Sequence, residues 1–288
     1  MQVQPHLFFD DRCEEAAELL EQGIALARRV GDRGFEERLL GELAWSLAFT
    51  GRWQEALECL DQLDTGGVAF ASSALLLALS EPLAAQGKIE TAERLLAQFA
   101  RWEDSVDVQE RTLYAAARAS AYLATGKQRE ALADAEVVLA AITELGVSSQ
   151  AVKIAVPAAL EAAVGLGERG RAEELLQIIE AVPPGRLAPS LRAHAARYRA
   201  RLAAEDGQSK DAAKGFAAAV STFREFGMPY WLALTLLEQG EWLTSEGRAA
   251  EAEPLLAEAR ETFERLEATR WLQRMGVAEA GSREEVPV

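Results

Sequence analysis

Asparagine is absent from the chain, histidine and cysteine occur twice each, and only five of the thirty basic residues are lysine. The missing asparagine and scarce lysine reflect genome composition rather than chemistry, but the other shortages exclude functions. Cys13 and Cys59 lie far apart on predicted helices with no CxxC spacing, which fits two reduced structural thiols in a cytoplasmic setting. Together with the equally distant His6 and His194 they make no zinc site, and no metal or cofactor is implied. Neither a phosphate-binding GxxxxGK loop, an HExxH pair nor a GxSxG elbow occurs. Long apolar runs are missing too. The longest uncharged stretch, Thr65 to Ser80, falls short of the ~20 apolar residues that a spanning helix needs. Met1 to Asp10 has no basic region ahead of Leu7–Phe9, so it does not read as a signal peptide. Positive charge is in deficit, 30 basic against 46 acidic residues. The net charge of −16 disfavours direct contact with nucleic acid or an anionic membrane.

Alanine is abundant, roughly a fifth of the chain, while proline (9) and aromatics (7%) are few. That composition favours closely packed helices, because alanine has the best helix propensity and lets backbones approach. Its distribution is periodic. Gly51, Gly87, Gly126, Gly167, Gly207 and Gly247 follow one another at intervals of 36, 39, 41, 40 and 40 residues. Five residues after each stands an alanine: Ala56, Ala92, Ala131, Ala172, Ala212 and Ala252. Seven before, the residue is small (Ala44, Ser80, Ala119, Ala200, Gly240) except for Leu160. Nine and twelve after, the positions are apolar throughout.

This register describes a helical hairpin repeated six times. The glycine ends one helix in the left-handed conformation, and the apolar residues five, nine and twelve past it share a face of the next. Thirteen helices are expected: one near 13–30, then six antiparallel pairs. The first members fall at 34–50, 68–86, 106–125, 149–166, 187–206 and 229–246. Their partners fall at 52–64, 88–102, 127–144, 169–181, 208–226 and 248–270. Asp64–Gly67 and Pro183–Gly185 read as turns, and Pro82 and Pro157 should bend or split their helices. The expected organisation is a terminal segment 1–12, for which folding back as a cap is one of three readings, a single solenoid over 13–275, and a disordered tail from Gly276. The helix near 13–30 is a half repeat, whose uncapped end would favour self-association and suits the C-terminal piece of a longer regulator.

Gly51-Arg-Trp53-Gln-Glu-Ala56-Leu and Gly126-Lys-Gln-Arg-Glu-Ala131-Leu resemble the turn of the tetratricopeptide (TPR) repeat, and Pro184 matches the proline that often closes one. The chain departs from that family in keeping the turn aromatic only at Trp53, and in a period near 40 where about 34 is usual. The longer period, with the run from Phe223 through Ala252-Glu-Pro-Leu-Leu, is similar to the helical region of bacterial maltose-type LuxR activators and cyclase–ATPase regulators. The resemblance implies an all-α, right-handed α-solenoid. It also implies a non-catalytic interaction module of cytoplasmic signalling, with an ATPase, a cyclase or a transcription factor as partner. A small-molecule-sensing domain is the alternative it leaves open, with an enzyme third; a deep pocket would favour sensing and an open groove a scaffold.

Gly165-Leu-Gly167-Glu-Arg-Gly170 matches the dinucleotide fingerprint GxGxxG. The residues before it are helical rather than strand-forming, however, and Gly167 is already the turn glycine of its repeat. First helices line the concave face in arrays of this kind. Their projection gives a candidate inner row of Arg38, Trp45, Phe49, Glu81, Glu161, His194, Arg197, Arg201 and Glu241. Trp45 and Phe49 would offer an aromatic patch, and His194, Arg197 and Arg201 a basic stripe for a peptide or an acidic ligand. The competing reading makes Trp45 and Phe49 core against the helix at 13–30, and pairs the arginines with local glutamates.

Overall fold

In the computed structural model the described residues are 10–62 and 80–284, with Leu7 and Leu76 besides. They form an all-α fold of sequential antiparallel pairs. A leading helix α1 (Cys13–Val30) packs on pair one, α2 (Arg33–Phe49) and α3 (Trp53–Asp61). Pair two contributes helical residues 80–85 and then α4 (Ile89–Gln98). Pair three is α5 (Val108–Ala124) and α6 (Gln128–Ala140), followed by a single turn α7 (Ile142–Leu145). Pairs four to six are α8 (Gln150–Gly165) with α9 (Arg169–Glu180), α10 (Pro189–Glu205) with α11 (Ser209–Glu225), and α12 (Pro229–Ser245) with α13 (Ala249–Arg265). A last helix α14 (Thr269–Glu284) follows. The turn expected at Asp64–Gly67 and most of the helix expected at 68–86 lie outside the described residues.

The repeat register has a direct physical counterpart. All six turn glycines take φ between +67° and +78°. The residue after each donates its N–H to the carbonyl five residues before the glycine's successor, as in Arg52 to Leu47 at 2.8 Å and Gln208 to Ala203 at 2.8 Å. That is the Schellman closure of a helix C-terminus. The alanines five residues on are at most 3% exposed, and small residues carry the crossings. A Cβ added at Gly215 would come within 2.9 Å of the Ala196 carbonyl and of the Ala200 side chain.

Two expectations need correction, and a third is narrowed. The helix expected at 248–270 stops at Arg265, because Glu267 turns the chain at φ +54° and α14 begins two residues later. That last helix runs past Gly276 to Glu284, where a disordered tail was expected. Pro157 does not split its helix, since α8 runs continuously from Gln150 to Gly165.

First and second helices differ in kind. Twelve of the sixteen residues of α8 are buried, and α12 is apolar on nearly all sides. A helix that is apolar all round has to be covered all round. Most second helices keep one polar face toward solvent. The cover for the inner faces comes from the chain's own beginning. Asp11, 1% exposed, accepts from Lys153 of α8 at 2.5 Å and from the backbone N–H of Ser190 in α10 at 2.7 Å. Gln150 donates to Glu42 at 3.3 Å, and Phe49 packs against the cluster of Ala193, Phe223 and Met228. Trp53 meets Tyr230 with ring centroids 5.3 Å apart. At the next turn Gln86 donates to the Leu266 carbonyl at 3.0 Å, and Thr269 donates to the Gln86 carbonyl at 2.8 Å. The first two pairs therefore close against the last, and no described helix is long and apolar enough to cross a membrane.

Glu267 tests the turn chemistry. A left-handed residue with a Cβ is strained by about 1 kcal/mol where glycine is not. Glu267→Gly should therefore raise the thermal midpoint by a few degrees in calorimetry. An unchanged or lower midpoint would show that the turn is relaxed as it stands.

Candidate functional site

The closure leaves two adjoining cavities on the axis of the array, with about 550 and 400 Å³ of atom-free space, open solvent at their mouths included. Glu81, Ile154 and Trp231 line both. The larger chamber receives side chains from the first helix of every pair from two to six, and from α14. Its apolar wall is Ala84, Ala85, Leu123, Ile154, Pro157, Ala158 and Leu234, with the rings of Tyr198, Tyr230, Trp231 and Trp271. Polar groups reach it from Glu81, Ser120, Glu161, Arg197 and Arg270. The smaller cavity lies toward pair one, between Trp45, Ala48 and Phe49 on one side and Lys153, His194 and Trp231 on the other.

Six of the nine residues projected onto the inner face converge on these cavities: Trp45, Phe49, Glu81, Glu161, His194 and Arg197. Arg201 stands behind the wall, bound to Glu161. Arg38 and Glu241 line neither cavity: Arg38 lies over the Phe35 ring at 5.2 Å, and Glu241 pairs with Arg274 of α14 at 3.0 and 2.5 Å. The open groove and its accessible basic stripe are corrected by the structure. His194 and Arg197 are each 1% exposed, and Trp45 is 3% exposed. Trp45 and Phe49 stack at 5.5 Å, and Phe49 faces α10 and α11 rather than only the helix at 13–30.

The arginines are spent on structure. Arg197 grips Glu238 with two hydrogen bonds of 2.5 and 2.6 Å, while Arg201 reaches Glu161 at 2.6 Å and Glu238 at 3.1 Å. Tyr198 donates to Glu161 at 2.8 Å. Two cations and two anions thus alternate across α8, α10 and α12. Burial alone would raise Glu161, but Arg201, Arg197 and the Tyr198 hydroxyl overcome it and hold the carboxyl at about 2. Glu81 has no such support. Burial pushes its carboxyl up to about 8, against the weaker pull of Arg197 and the Trp231 indole. His194 is kept neutral by burial and by Arg197, both of which depress its pKa well below the usual value. Its Nδ1 has no hydrogen-bond partner among the described residues, and its ring meets Trp231 edge-on at 4.4 Å.

The dinucleotide fingerprint falls where the repeat placed it. Gly165 ends α8 against the Gln128 side chain, Gly167 turns at φ +70°, and Gly170 opens α9 with no strand before them. Both cysteines are free and buried. Burial raises both thiols, Cys59 to about 11, which makes them poor nucleophiles. Among the described residues no three His, Cys, Asp or Glu cluster in a metal-binding arrangement.

Sequence reasoning missed Tyr198, Tyr230, Trp231, Arg270 and Trp271. A signal was present, for Tyr230-Trp231 and Arg270-Trp271 stand one 40-residue period apart. The spacing went unused because Arg270 read as the last residue of a second helix.

The titration of Glu81 can be checked directly. Its folded-state pKa of about 8 lies above the ordinary 4.5, so its contribution to stability is full below pH 4.5 and is lost as pH rises through 8. His194 acts in the opposite direction, its contribution being lost as pH falls below the ordinary 6.5. The midpoint of Glu81→Gln minus that of the unaltered chain should accordingly grow more positive from pH 5 to about pH 9. A difference independent of pH would mean that Glu81 is ionised throughout.

No family model and no curated protein matches the chain. Among solved structures it is similar to the crystal structure of BtubC (BKLC) from P. vanneervenii, at 17% identity and a TM-score of 0.45, over 87% of this chain and 90% of that one.

Proposed function

We propose that the chain is a non-catalytic regulatory module that senses a small molecule in the axial chamber. One observation carries this reading: the first helices of five pairs and the last helix aim side chains into a single shared chamber, where an interaction scaffold would present a groove along its whole length. Ligand sites are typically concave and mainly apolar, with a few convergent polar groups. The chamber has that composition, with four aromatic rings among its lining residues. Catalysis finds less support. Glu161 and Arg197 are tied to each other's neighbours, Lys153 is bound to Asp11, and His194 is buried against Trp231 and Phe223.

The reading is tested by filling the space. Ala84 is 8% exposed on the chamber wall, so Ala84→Trp should occupy it. A ligand at a hundred times its Kd stabilises the folded state by about 2.7 kcal/mol. In a thermal-shift screen of small molecules mixed in charge and ring content, some should raise the midpoint of the unaltered chain and none that of a folded Ala84→Trp variant. A screen in which nothing raises the midpoint, or in which both proteins respond alike, would refute it.

A second, compatible use is favoured by α1, whose Leu19, Leu26 and Val30 are 45, 46 and 67% exposed along the leading helix. We read this stripe as a contact for a protein partner, most simply a second copy of the chain. Light scattering at high concentration should then show a dimer, which Leu26→Glu disperses; a monomer at every concentration would argue against it.

A further inference from the structure

The wall charges of the chamber can be paired off one by one. Arg197 and Arg201 are matched by Glu238 and Glu161 in the buried quartet. Two lining charges remain, Glu81 and Arg270. No ion pair joins them among the described residues. Glu81 lies half-buried beside the Trp231 indole, with its carboxyl held protonated at neutral pH by burial. In that state it accepts from the Trp231 indole and offers a proton to a ligand rather than a negative charge.

Arg270 differs from the other chamber arginine. It is exposed, it belongs to α14, and its guanidinium lies over the Trp271 ring at 5.2 Å with no carboxylate partner among the described residues. A side chain that both lines the chamber and faces solvent stands at its mouth. Arg274, one turn further along the same helix, is by contrast paired with Glu241. At the mouth of an aromatic-walled chamber, with no carboxylate partner among the described residues, Arg270 offers its fork to a carboxylate from outside.

The rings set the shape of the rest of that molecule. Trp271 donates to the Tyr230 hydroxyl at 3.1 Å, so the tyrosine retains its own proton to give. Tyr230 and Trp231 meet edge to face at 4.9 Å, and a flat ring would stack well among such faces. One unmatched positive charge suits a monoanion better than a phosphate dianion, whose second charge would go unanswered in a poorly hydrated space.

We propose that the chamber binds a small aromatic carboxylate, its ring among Tyr230, Trp231 and Trp271 and its carboxylate on the Arg270 guanidinium. This rests on the sensing function above and names its ligand class.

The test uses the full chain and three matched probes: indole-3-acetate, its uncharged amide indole-3-acetamide, and the cation tryptamine. Binding is read by calorimetry and by the change in tryptophan fluorescence. Indole-3-acetate should bind more tightly than the amide by about tenfold or more, the scale of a hydrogen bond to a charged group, and tryptamine should bind least. Arg270→Gln should erase the preference for the acid over the amide and leave the amide's affinity unchanged. The exposed Arg192→Gln, which lines neither cavity, should preserve both affinities. Equal binding of acid and amide, tighter binding of tryptamine, or an acid preference that survives Arg270→Gln would overturn the proposal. No saturation by any of the three, alongside a neutral compound that stabilises the unaltered chain but not Ala84→Trp, would overturn the ligand class and leave the sensing function standing. If no compound distinguishes those two proteins, both fall.

Discussion

The structure depends on one constraint: the first helices of the repeats are apolar on nearly every side and must be hidden. Stacking each pair on the next hides the flanks of these helices, but it leaves their inner faces bare. In an extended array those faces would line an open groove, with Ile154, Trp231 and Leu234 exposed together as an apolar patch. Here the first pair enters that space and the last helix closes it. Asp11 reaches across to α8 and α10, Trp53 meets Tyr230, and Gln86 exchanges hydrogen bonds with the stretch between α13 and α14. The ends of the repeat array thus serve as each other's cover.

Hiding the inner face brings charged residues with it, and their arrangement shows how the cost is met. Removing one partner from a buried ion pair typically destabilises a protein by about 3–5 kcal/mol, because the other charge is left unpaired. Arg197 and Glu238 are among the most deeply buried charged residues described, and their two parallel hydrogen bonds are the strong form of such a pair. Arg201 and Glu161 extend the alternation, so each carboxylate faces two cations. Four charges, two buried and two at the edge of solvent, sum to zero and fix the register of three consecutive first helices. The same arithmetic gives Glu81 and Arg270 their character. Neither is ion-paired within the quartet: Arg197 pulls on Glu81 too weakly to offset burial, so Glu81 goes protonated, and Arg270 stays at the solvent boundary.

Local structure was legible in the sequence because its causes are local. A left-handed turn favours glycine, a close crossing needs alanine five residues later, and both requirements recur at every pair, so six occurrences in register placed most helix ends to within a few residues. Where another residue meets the same requirement the reading failed: Glu267 adopts the left-handed turn without being glycine, and α14 was missed with it. Closure was not legible for a different reason. A period of about 40 tells each pair which neighbour it touches, but the curvature of the stack arises from small rotations that accumulate over six pairs. No single residue records that sum. Helical projection put His194 and Arg197 on the inner face correctly and could not say that Trp231 and Glu238 would already be waiting there. A face can be read from one helix. Its occupant requires the whole array.

The chamber and the closure are therefore one feature seen from two sides. Glu81 belongs to the second pair, while Arg270 and Trp271 belong to the last helix, and these are the parts that meet when the array closes. A molecule that touches both ends binds the closed form better than any form in which they have separated. A ligand shifts a conformational equilibrium only by the difference in its affinity for the two states. Contacts to pairs three, four and five alone would be nearly the same in both and would shift nothing. Contacts that bridge Glu81 and Arg270 exist only when the ends are together, so under the proposed sensing function any coupling of occupancy to shape falls on those two residues rather than on the larger apolar wall. By reciprocity, under the same proposal whatever strengthens the meeting of the ends, at Gln86 and Thr269 as much as in the chamber, tightens the proposed ligand by the same factor.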